Sequence, residues 1–368
     1  MRKTLTSLVM MMGMLSLQTR GNAYDKILNR LPKYGQIQLE LQENVLIKEI
    51  EGDPNYIFGK VLGDLAVDKE GNLFVLDFDR ILKYDSHGKF IGTIGKKGGG
   101  PGEFQQPNKT FIHERGDVYV SDRGRILHVF ENDGKYVKQI ILRFMISFST
   151  NNLFVDRDDN IFTAMMEMSE SGPNTVLVKA DPNGKILKKI EVAIDRNIKI
   201  KSSRGGGVMG GLVHRYSERL CFCPVQKSLL CCGINTKYEL FLFDLNGNLK
   251  TAFSKEEDAK QISAAEKKYF GPDAVFPSHR PFFNNILSDE DGRIYILRSK
   301  SILDKSPAIE IDIFDLNGQY LYRTEVPFKP QVLVNGSFYS IEQDENQMRM
   351  IKKWMIRNYR ELKTNSND

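Results

Sequence analysis

The sequence predicts an all-β fold, a six-bladed β-propeller with four strands in each blade. Three observations lead to it: two kinds of glycine-containing turn alternate along the chain, the repeating unit is about 45 residues long, and each unit holds four short β-rich segments. Such a unit is typical of a propeller blade, which buries its faces only against neighbouring blades. An unrelated β-sandwich is the alternative fold, although sandwiches rarely repeat two turn types in fixed order.

The repeats define the blades in order along the chain. DKEGN (68–72) represents the first kind of turn and DSHGK (85–89) the second, and their glycines supply the positive φ angles that hairpin loops need. The six predicted units cover 62–97, 108–143, 150–194, 208–254, 283–327 and 328–357. The last unit lacks a fourth strand, so we expect a strand within 37–50 to complete it and to close the ring.

The rest of the chain is divided around these repeats. We expect a signal peptide at 1–23, an N-terminal segment with the ring-closing strand at 24–61, the propeller at 62–357 and a C-terminal tail at 358–368.

The first 23 residues predict export. A basic start is followed by an apolar run of 13 residues and by small residues that end at Ala23, the order found in secretory signal peptides, so we expect cleavage after Ala23. An uncleaved anchor is the alternative, but a helix of 13 residues is about 20 Å long and the hydrocarbon core is about 30 Å thick. The predicted location is the periplasm or the extracellular space, with no stable membrane insertion after cleavage.

Composition restricts the class of partner. The chain has 368 residues, 41% of them hydrophobic, and its mean hydropathy of -0.36 is too polar for a multi-span membrane protein. The signal segment holds three basic residues and no acidic one, so its removal lowers the formal net charge from +5 to +2. A charge that small predicts no nucleic-acid partner.

One part of the chain resembles a known family. The segments GKKGGGPGEFQQP (95–107) and DVYVSDRGRILHVFENDGKYV (117–137) are similar to the NHL repeat of six-bladed propellers, with its Gly-rich loop, its Phe-x-x-Pro and its Tyr-Val-x-Asp. The resemblance covers 62–140. Units three to six resemble the broader class of exported bacterial six-bladed propellers.

The long insertions are predicted to lie on one face. Because propeller strands alternate in direction, the turns between strands one and two and between strands three and four share the turn face, while the remaining loops and the blade crossings share the loop face. The insertions assigned to the loop face are 167–174, 226–237 and 299–309 within blades, and 95–107, 196–211 and 254–283 between blades. Long loops on one rim of a rigid scaffold are the usual place for binding.

The crossing at 254–283 is the most distinctive insertion. Ser254 and Glu257 have the spacing of a capping box, which predicts a helix starting there and lying over the rim. His279 and Arg280 follow between two prolines and either reach a polar ligand or hydrogen-bond neighbouring loops while the prolines stiffen the junction.

We therefore predict a recognition module that binds a protein, peptide or glycan on the loop face, with no catalytic residue. The candidate ligand-binding residues are His279, Arg280, Arg123, Arg204, Phe104 and Tyr269.

Two other functions remain open from the sequence. One is a metal-dependent hydrolase or lyase with a calcium site at the channel mouth, for which Asp79, Asp122 and Asn284 are the weak candidate ligands. The other is a purely structural surface protein, in which removal of 256–276 alters no interaction. Beyond calcium, no cofactor is predicted.

Two side-chain sets have structural interpretations. Asp77 and Asp122 each precede an arginine, Arg80 or Arg125, by three residues, and recurrence in a repeat favours a blade-building ion pair or hydrogen bond. The four cysteines, Cys221, Cys223, Cys231 and Cys232, have a spacing that suits zinc poorly and that leaves open a disulfide across a hairpin or buried free thiols.

Overall fold

The computed structural model of the protein describes residues 26–56, 58, 62–147, 152–169, 172–190, 192, 216–270, 274 and 276–364. The predicted signal peptide and its cleavage site lie outside these residues. Within them the chain forms six β-sheets of the propeller type and very little helix, so the prediction of an all-β six-bladed propeller with four-stranded blades is confirmed.

The N-terminal half of the chain forms blades one to three. Two strands come first, β1 (Lys26–Asn29) and β2 (Leu41–Lys48). Blade one contains β3 (Leu62–Val67), β4 (Leu73–Asp77), β5 (Arg80–Tyr84) and β6 (Phe90–Ile94). A short parallel pair follows, β7 (Lys96–Lys97) and β8 (Glu103–Phe104). Blade two contains β9 (Pro107–Ile112), β10 (Val118–Asp122), β11 (Ile126–Phe130) and β12 (Tyr136–Ile141). Blade three contains β13 (Met145–Ile146), β14 (Leu153–Val155), β15 (Ile161–Ser169), β16 (Gly172–Ala180) and β17 (Ile186–Ile190).

The C-terminal half forms blades four to six. Blade four contains β18 (Leu220–Val225), β19 (Leu229–Ile234), β20 (Glu239–Asp244) and β21 (Leu249–Lys255), and the helix α1 (Ala264–Phe270) follows in the crossing. Blade five contains β22 (Phe283–Ser288), β23 (Ile294–Arg298), β24 (Ile309–Phe314) and β25 (Tyr320–Val326). Blade six contains β26 (Pro330–Val334), β27 (Ser337–Gln343) and β28 (Arg349–Ile356), and a 3₁₀ turn (Tyr359–Glu361) follows.

The apolar core is divided among the interfaces between blades. Six hydrophobic clusters are present in the described residues, and each combines side chains of two neighbouring blades. The second strands are accordingly buried along their whole length, as in β4 and β10, whereas the outer strand β12 is mostly exposed. One of the clusters packs Tyr339 and Ile351 of blade six against Leu73 and Val75 of blade one. The first and last blades are therefore packed together like the others.

An N-terminal strand completes the last blade. β2 pairs antiparallel with β28, from Leu41 opposite Ile356 to Lys48 opposite Met350, and the sheet order is β2, β28, β27, β26. The fourth strand of blade six thus comes from the opposite end of the chain.

The residues before β2 run along the outer edges of two further blades. β1 pairs parallel with β21 as a fifth strand of blade four, which the sequence analysis did not predict. The chain then follows blade five, where the amide of Lys33 donates to the carbonyl of Tyr320 at 2.8 Å. We call residues 26–48 the outer strap, since they connect blades four, five and six from outside.

Blade four differs from the strand assignment that the sequence suggested. The expected insertion 226–237 is not one long loop: Gln226 and Lys227 form the first turn of the blade, and half of the segment is the strand β19. Both turn residues have positive φ, 47° and 56°, although neither is glycine or asparagine. The turn therefore lacks the residues by which such turns are recognised.

A second expected insertion is also strand. The predicted insertion 167–174 lies in the ends of β15 and β16, which pair as far as Ser169 opposite Gly172.

A buried side chain of the outer strap hydrogen-bonds the backbone of blades four and five. Asn29 donates to the carbonyls of Ser254 and Gly318 and accepts from the amide of Tyr320 at 2.9 Å. Replacing Asn29 by Ala leaves these backbone groups without partners, so we expect the free energy of unfolding in urea to fall by about 2 kcal/mol. Asn346→Ala, an exposed turn position, is the control and should change stability by less than about 0.5 kcal/mol. Equal effects of the two substitutions would contradict the role given to Asn29.

Candidate functional site

The helix of the 254–283 crossing begins later than the sequence predicted. Ser254 lies in β21 and is buried, so it does not cap a helix. The capping box is formed instead by Ser263 and Glu266: the Glu266 carboxylate accepts from the Ser263 amide at 2.8 Å, and the Ser263 hydroxyl accepts from the Glu266 amide. Ser263 and Glu266 have the same three-residue spacing as Ser254 and Glu257, so the sequence contained two candidate capping boxes and the prediction was based on the wrong one.

Glu266 also fixes the helix to the loops around it. Its carboxylate accepts hydrogen bonds from the hydroxyls of Tyr216 and Ser301, both at 2.6 Å, and lies 3.2 Å from a guanidinium nitrogen of Arg280. The side chain is only 2% exposed. Burial acts to raise its pKa, but the hydrogen bonds from Ser301, Tyr216 and Ser263 outweigh it and lower the pKa to about 2. The crossing and the loop at 299–309 are thereby joined before any ligand binds.

His279 and Arg280 take part in this anchoring. The Nδ1 atom of His279 lies 2.9 Å from the carbonyl oxygen of Arg280, and the ring packs on Phe282. The Arg280 amide donates to the carbonyl of Lys260, and its guanidinium faces Glu266. The sequence left open whether these two residues reach a ligand or hydrogen-bond neighbouring loops. The observed contacts match the second interpretation.

A buried charge cluster lies between blades four and five. Asp312 of β24 is fully buried, and its carboxylate accepts from Lys255 at 2.8 Å and from Arg298 at 2.9 Å. Glu257 in the crossing accepts from the same two cations. Burial acts to raise the pKa of Asp312, but Lys255 and Arg298 outweigh it and hold the pKa well below its usual range.

Two tyrosines and a third cation complete the cluster. The hydroxyls of Tyr238 and Tyr320 donate to Asp312, and Arg323 donates to it at 3.1 Å. Each oxygen of Asp312 is thus satisfied, as a buried carboxylate requires.

An arginine-lined pocket is present on the loop face of blade two. It has a volume of about 450 Å³ and is lined by Arg123 and Arg125 from the β10–β11 loop, by Arg143 from the following crossing, and by the apolar residues Ile126, Ile141 and Leu142. We call it the arginine pocket. The three arginines are exposed, and no described carboxylate or carbonyl accepts a hydrogen bond from their side chains.

Blade one shows why Arg125 has no carboxylate partner. Arg80, its counterpart, forms an ion pair with Asp77 at 3.0 Å. In blade two, however, the carboxylate of Asp122 accepts from the backbone amides of Gln105 and Gln106. The predicted role of Asp122 as a hydrogen-bonding residue of the blade therefore fits, but the pair with Arg125 does not form.

The other predicted site residues fall in different environments. Phe104 is fully buried, in edge contact with His128 and Phe130, so its assignment as a ligand-binding residue was wrong. The sequence showed an aromatic residue in a Gly-rich loop but not that the loop folds back into the core. Tyr269 lies on α1 and is 59% exposed. Arg204 lies outside the described residues.

The candidate metal ligands do not form a cluster. Asp122 is occupied by the amides of Gln105 and Gln106, and Asp79 and Asn284 lie in different blades. Among the described residues, no three His, Cys, Asp or Glu side chains are placed to hold a metal ion.

All four cysteines are in the described part of the chain, where they are buried free thiols. Cys223 and Cys231 lie directly opposite each other in β18 and β19. Burial raises the pKa of the Cys221 and Cys223 thiols to about 12, which makes them poor nucleophiles. Of the two alternatives that the sequence left open, a disulfide across the hairpin or buried free thiols, the structure contains the free thiols.

Comparison with known proteins supports the fold. A family described as a 6-bladed beta-propeller, DUF5128, matches residues 65–205. No curated protein matches the sequence. No helix in the described ranges is long and apolar enough to cross a membrane.

Solved structures are similar in fold. A Bacteroides fragilis NCTC 9343 protein that carries the description of an exported protein has a TM-score of 0.56 at 12% identity, over 90% of this chain and 99% of that one. A member of the duf4221 family from Bacteroides vulgatus has a TM-score of 0.54 at 12% identity, over 86% and 99%. These identities show a shared fold and nothing about function. Virginiamycin B lyase from Staphylococcus aureus, at a TM-score of 0.44 and 10% identity over 86% and 99%, carries no argument about activity.

The buried charge cluster leads to a prediction about stability. Asp312→Asn removes the fully buried one of the two carboxylates that Lys255 and Arg298 share, so we expect the free energy of unfolding in urea to fall by about 3 to 5 kcal/mol. Glu310→Gln removes an exposed carboxylate 3.3 Å from the same arginine and should cost less than about 1 kcal/mol. A loss below about 1 kcal/mol for Asp312→Asn would show that the cluster is not needed.

Glu266 gives a prediction about pH. Because its folded pKa is lowered to about 2 from an ordinary value of 4.5, its stabilising effect is fully present above pH 4.5 and is lost as the pH falls toward 2. The melting temperature of the wild type should therefore fall more steeply over this range than that of Glu266→Gln. Glu345→Gln, at an exposed turn, should retain the wild-type slope. Parallel curves for the wild type and Glu266→Gln would refute the assignment.

Proposed function

We propose that this chain is an exported propeller that acts as a recognition module and binds a protein, peptide or glycan through its loop face. Support for export comes from the signal-like composition of residues 1–23. We propose in addition that blades one and two are NHL-like repeats, on the strength of the motifs in 95–137.

The observation that carries the proposal is the anchoring of the loop face by buried polar groups. Glu266 joins α1 to the loop at 299–309 and to Tyr216, so buried hydrogen bonds connect the segments of this part of the rim. A rigid rim favours binding because less conformational entropy is lost when the complex forms. Tyr269, an exposed residue of the anchored helix α1, is then available for contact with a ligand.

The test blocks one face at a time. Lys305→Cys places a thiol on the loop face and Lys89→Cys places one on the turn face, both at exposed positions. The four native thiols are buried, so a maleimide-linked polyethylene glycol should react only with the new cysteine in the folded protein. Each modified protein and the unmodified protein are then applied to arrays of immobilised peptides and glycans.

We expect the unmodified protein to bind specific members of one array, the Lys305→Cys conjugate to lose that binding, and the Lys89→Cys conjugate to retain it. Binding that survives the loop-face block, or that is lost with the turn-face block, would contradict the proposal. So would the absence of binding to either array.

A further inference from the structure

We propose that the arginine pocket of blade two binds an acidic peptide, which lies as an added strand along the outer edge of β12 with a carboxylate between the arginines. This inference rests on the proposed function and specifies the ligand class and the blade. It combines the charge of the pocket, the apolar residues in its lining, and the strand edge beside it.

The charge of the pocket selects an anion. Arg123, Arg125 and Arg143 come from two separate chain segments and converge without a described acidic partner, so their mutual repulsion is not neutralised within the described protein. The guanidinium group presents paired N–H donors that match the two oxygens of a carboxylate. In blade one, Arg80 occupies the position that corresponds to Arg125 and is neutralised by Asp77. An arginine at this position can therefore be paired within its own blade, and Arg125 is not paired in this way by the described residues.

The apolar lining favours a peptide over a glycan. Ile126 and Ile141 line the pocket beside the arginines, and Ile141 is 61% exposed. Aliphatic side chains of a peptide bury area against such residues, whereas sugar rings generally stack on aromatic faces, and none of the six lining residues is aromatic. The expected ligand segment therefore carries an aspartate or glutamate next to a branched aliphatic residue.

The strand edge supplies the second part of the site. β12 is the outer strand of its sheet, and no described strand pairs with its free side. Next to the pocket that side is covered by the β16–β17 turn, since the Arg143 amide donates to the Gly184 carbonyl at 3.1 Å and Gly184 packs on the Ile141 carbonyl, so the open edge is the part of β12 before Ile141. An open edge presents unpaired amides and carbonyls that an extended peptide can use. The protein already contains one such addition, since β1 of the outer strap pairs parallel with the outer strand β21 of blade four.

The experiment measures peptide affinity by fluorescence anisotropy. The probes are labelled heptapeptides with one Asp or Glu flanked by Val, Ile or Leu, each compared with its Asn or Gln isostere and with a version N-methylated at alternate backbone amides. The proteins are the wild type, Arg125→Ala, the triple variant Arg123→Gln/Arg125→Gln/Arg143→Gln, and Lys89→Ala. Lys89 is an exposed cation of the turn face, away from both the pocket and β12, and provides the control.

We expect the acidic heptapeptides to bind the wild type at least tenfold more tightly than their isosteres or their N-methylated versions. Arg125→Ala should weaken binding at least tenfold and the triple variant should abolish it, while Lys89→Ala should change it less than threefold. These substitutions are at exposed positions, and circular dichroism melts should confirm unchanged folding.

Three outcomes would overturn the inference: equal binding of acidic peptides and isosteres, full retention of binding by the triple variant, or tighter binding of an oligouronate or of inorganic phosphate than of any peptide. Array binding that is blocked by the Lys305→Cys conjugate but unaffected by the triple variant would exclude the arginine pocket as the binding site and leave the proposed function intact. Array binding that neither the loop-face block nor the triple variant affects would contradict both the proposed function and the peptide site.

Discussion

The pairing of β2 with β28 is the constraint on which the rest of the structure depends. A propeller blade has two apolar faces and buries them only between neighbours, so an open ring would expose the outward faces of its first and last blades. Here the last blade takes its fourth strand from the N-terminal part of the chain, and its core packs against blade one. The outer strap extends this connection to blades four and five, where the side chain of Asn29 binds three backbone groups.

Buried and exposed charged groups have different roles in this structure. Between blades four and five, Asp312 neutralises buried cations and has both oxygens occupied, so this carboxylate stabilises the interface between the blades. Glu266 plays a similar part on the loop face, where it fixes α1. The arginine pocket is the contrasting case, because its cations remain exposed and unneutralised among the described residues. Charges that the fold does not use are the ones available for recognition.

The sequence predicted the fold class, the number of blades and the strands that are bounded by Asp/Asn-Gly turns, because those turns need positive φ and so leave a residue signature. It failed in blade four, where Gln226 and Lys227 adopt positive φ without that signature, and at Ser254, which has the spacing of a cap but lies in a strand. It identified Arg123 but not Arg125 or Arg143 as candidates, since the Asp–Arg spacing of blade two implied a pair that tertiary contacts to Gln105 and Gln106 replace. Phe104 was misassigned because burial depends on how a loop folds back and not on its composition.

The central claim is that closure by β2 holds a ring whose loop face is ordered before it meets a ligand. Hydrogen–deuterium exchange of the ligand-free protein, followed by mass spectrometry, tests both halves of this claim at once. We expect the amides of β2 and β28 to exchange together in the slowest class. Peptides covering 263–270 and the amide of Ile302, which donates to Tyr216, should exchange much more slowly than an unstructured chain. Exchange of β2 at the rate of an unfolded segment, or the absence of protection in these loop-face residues, would contradict it.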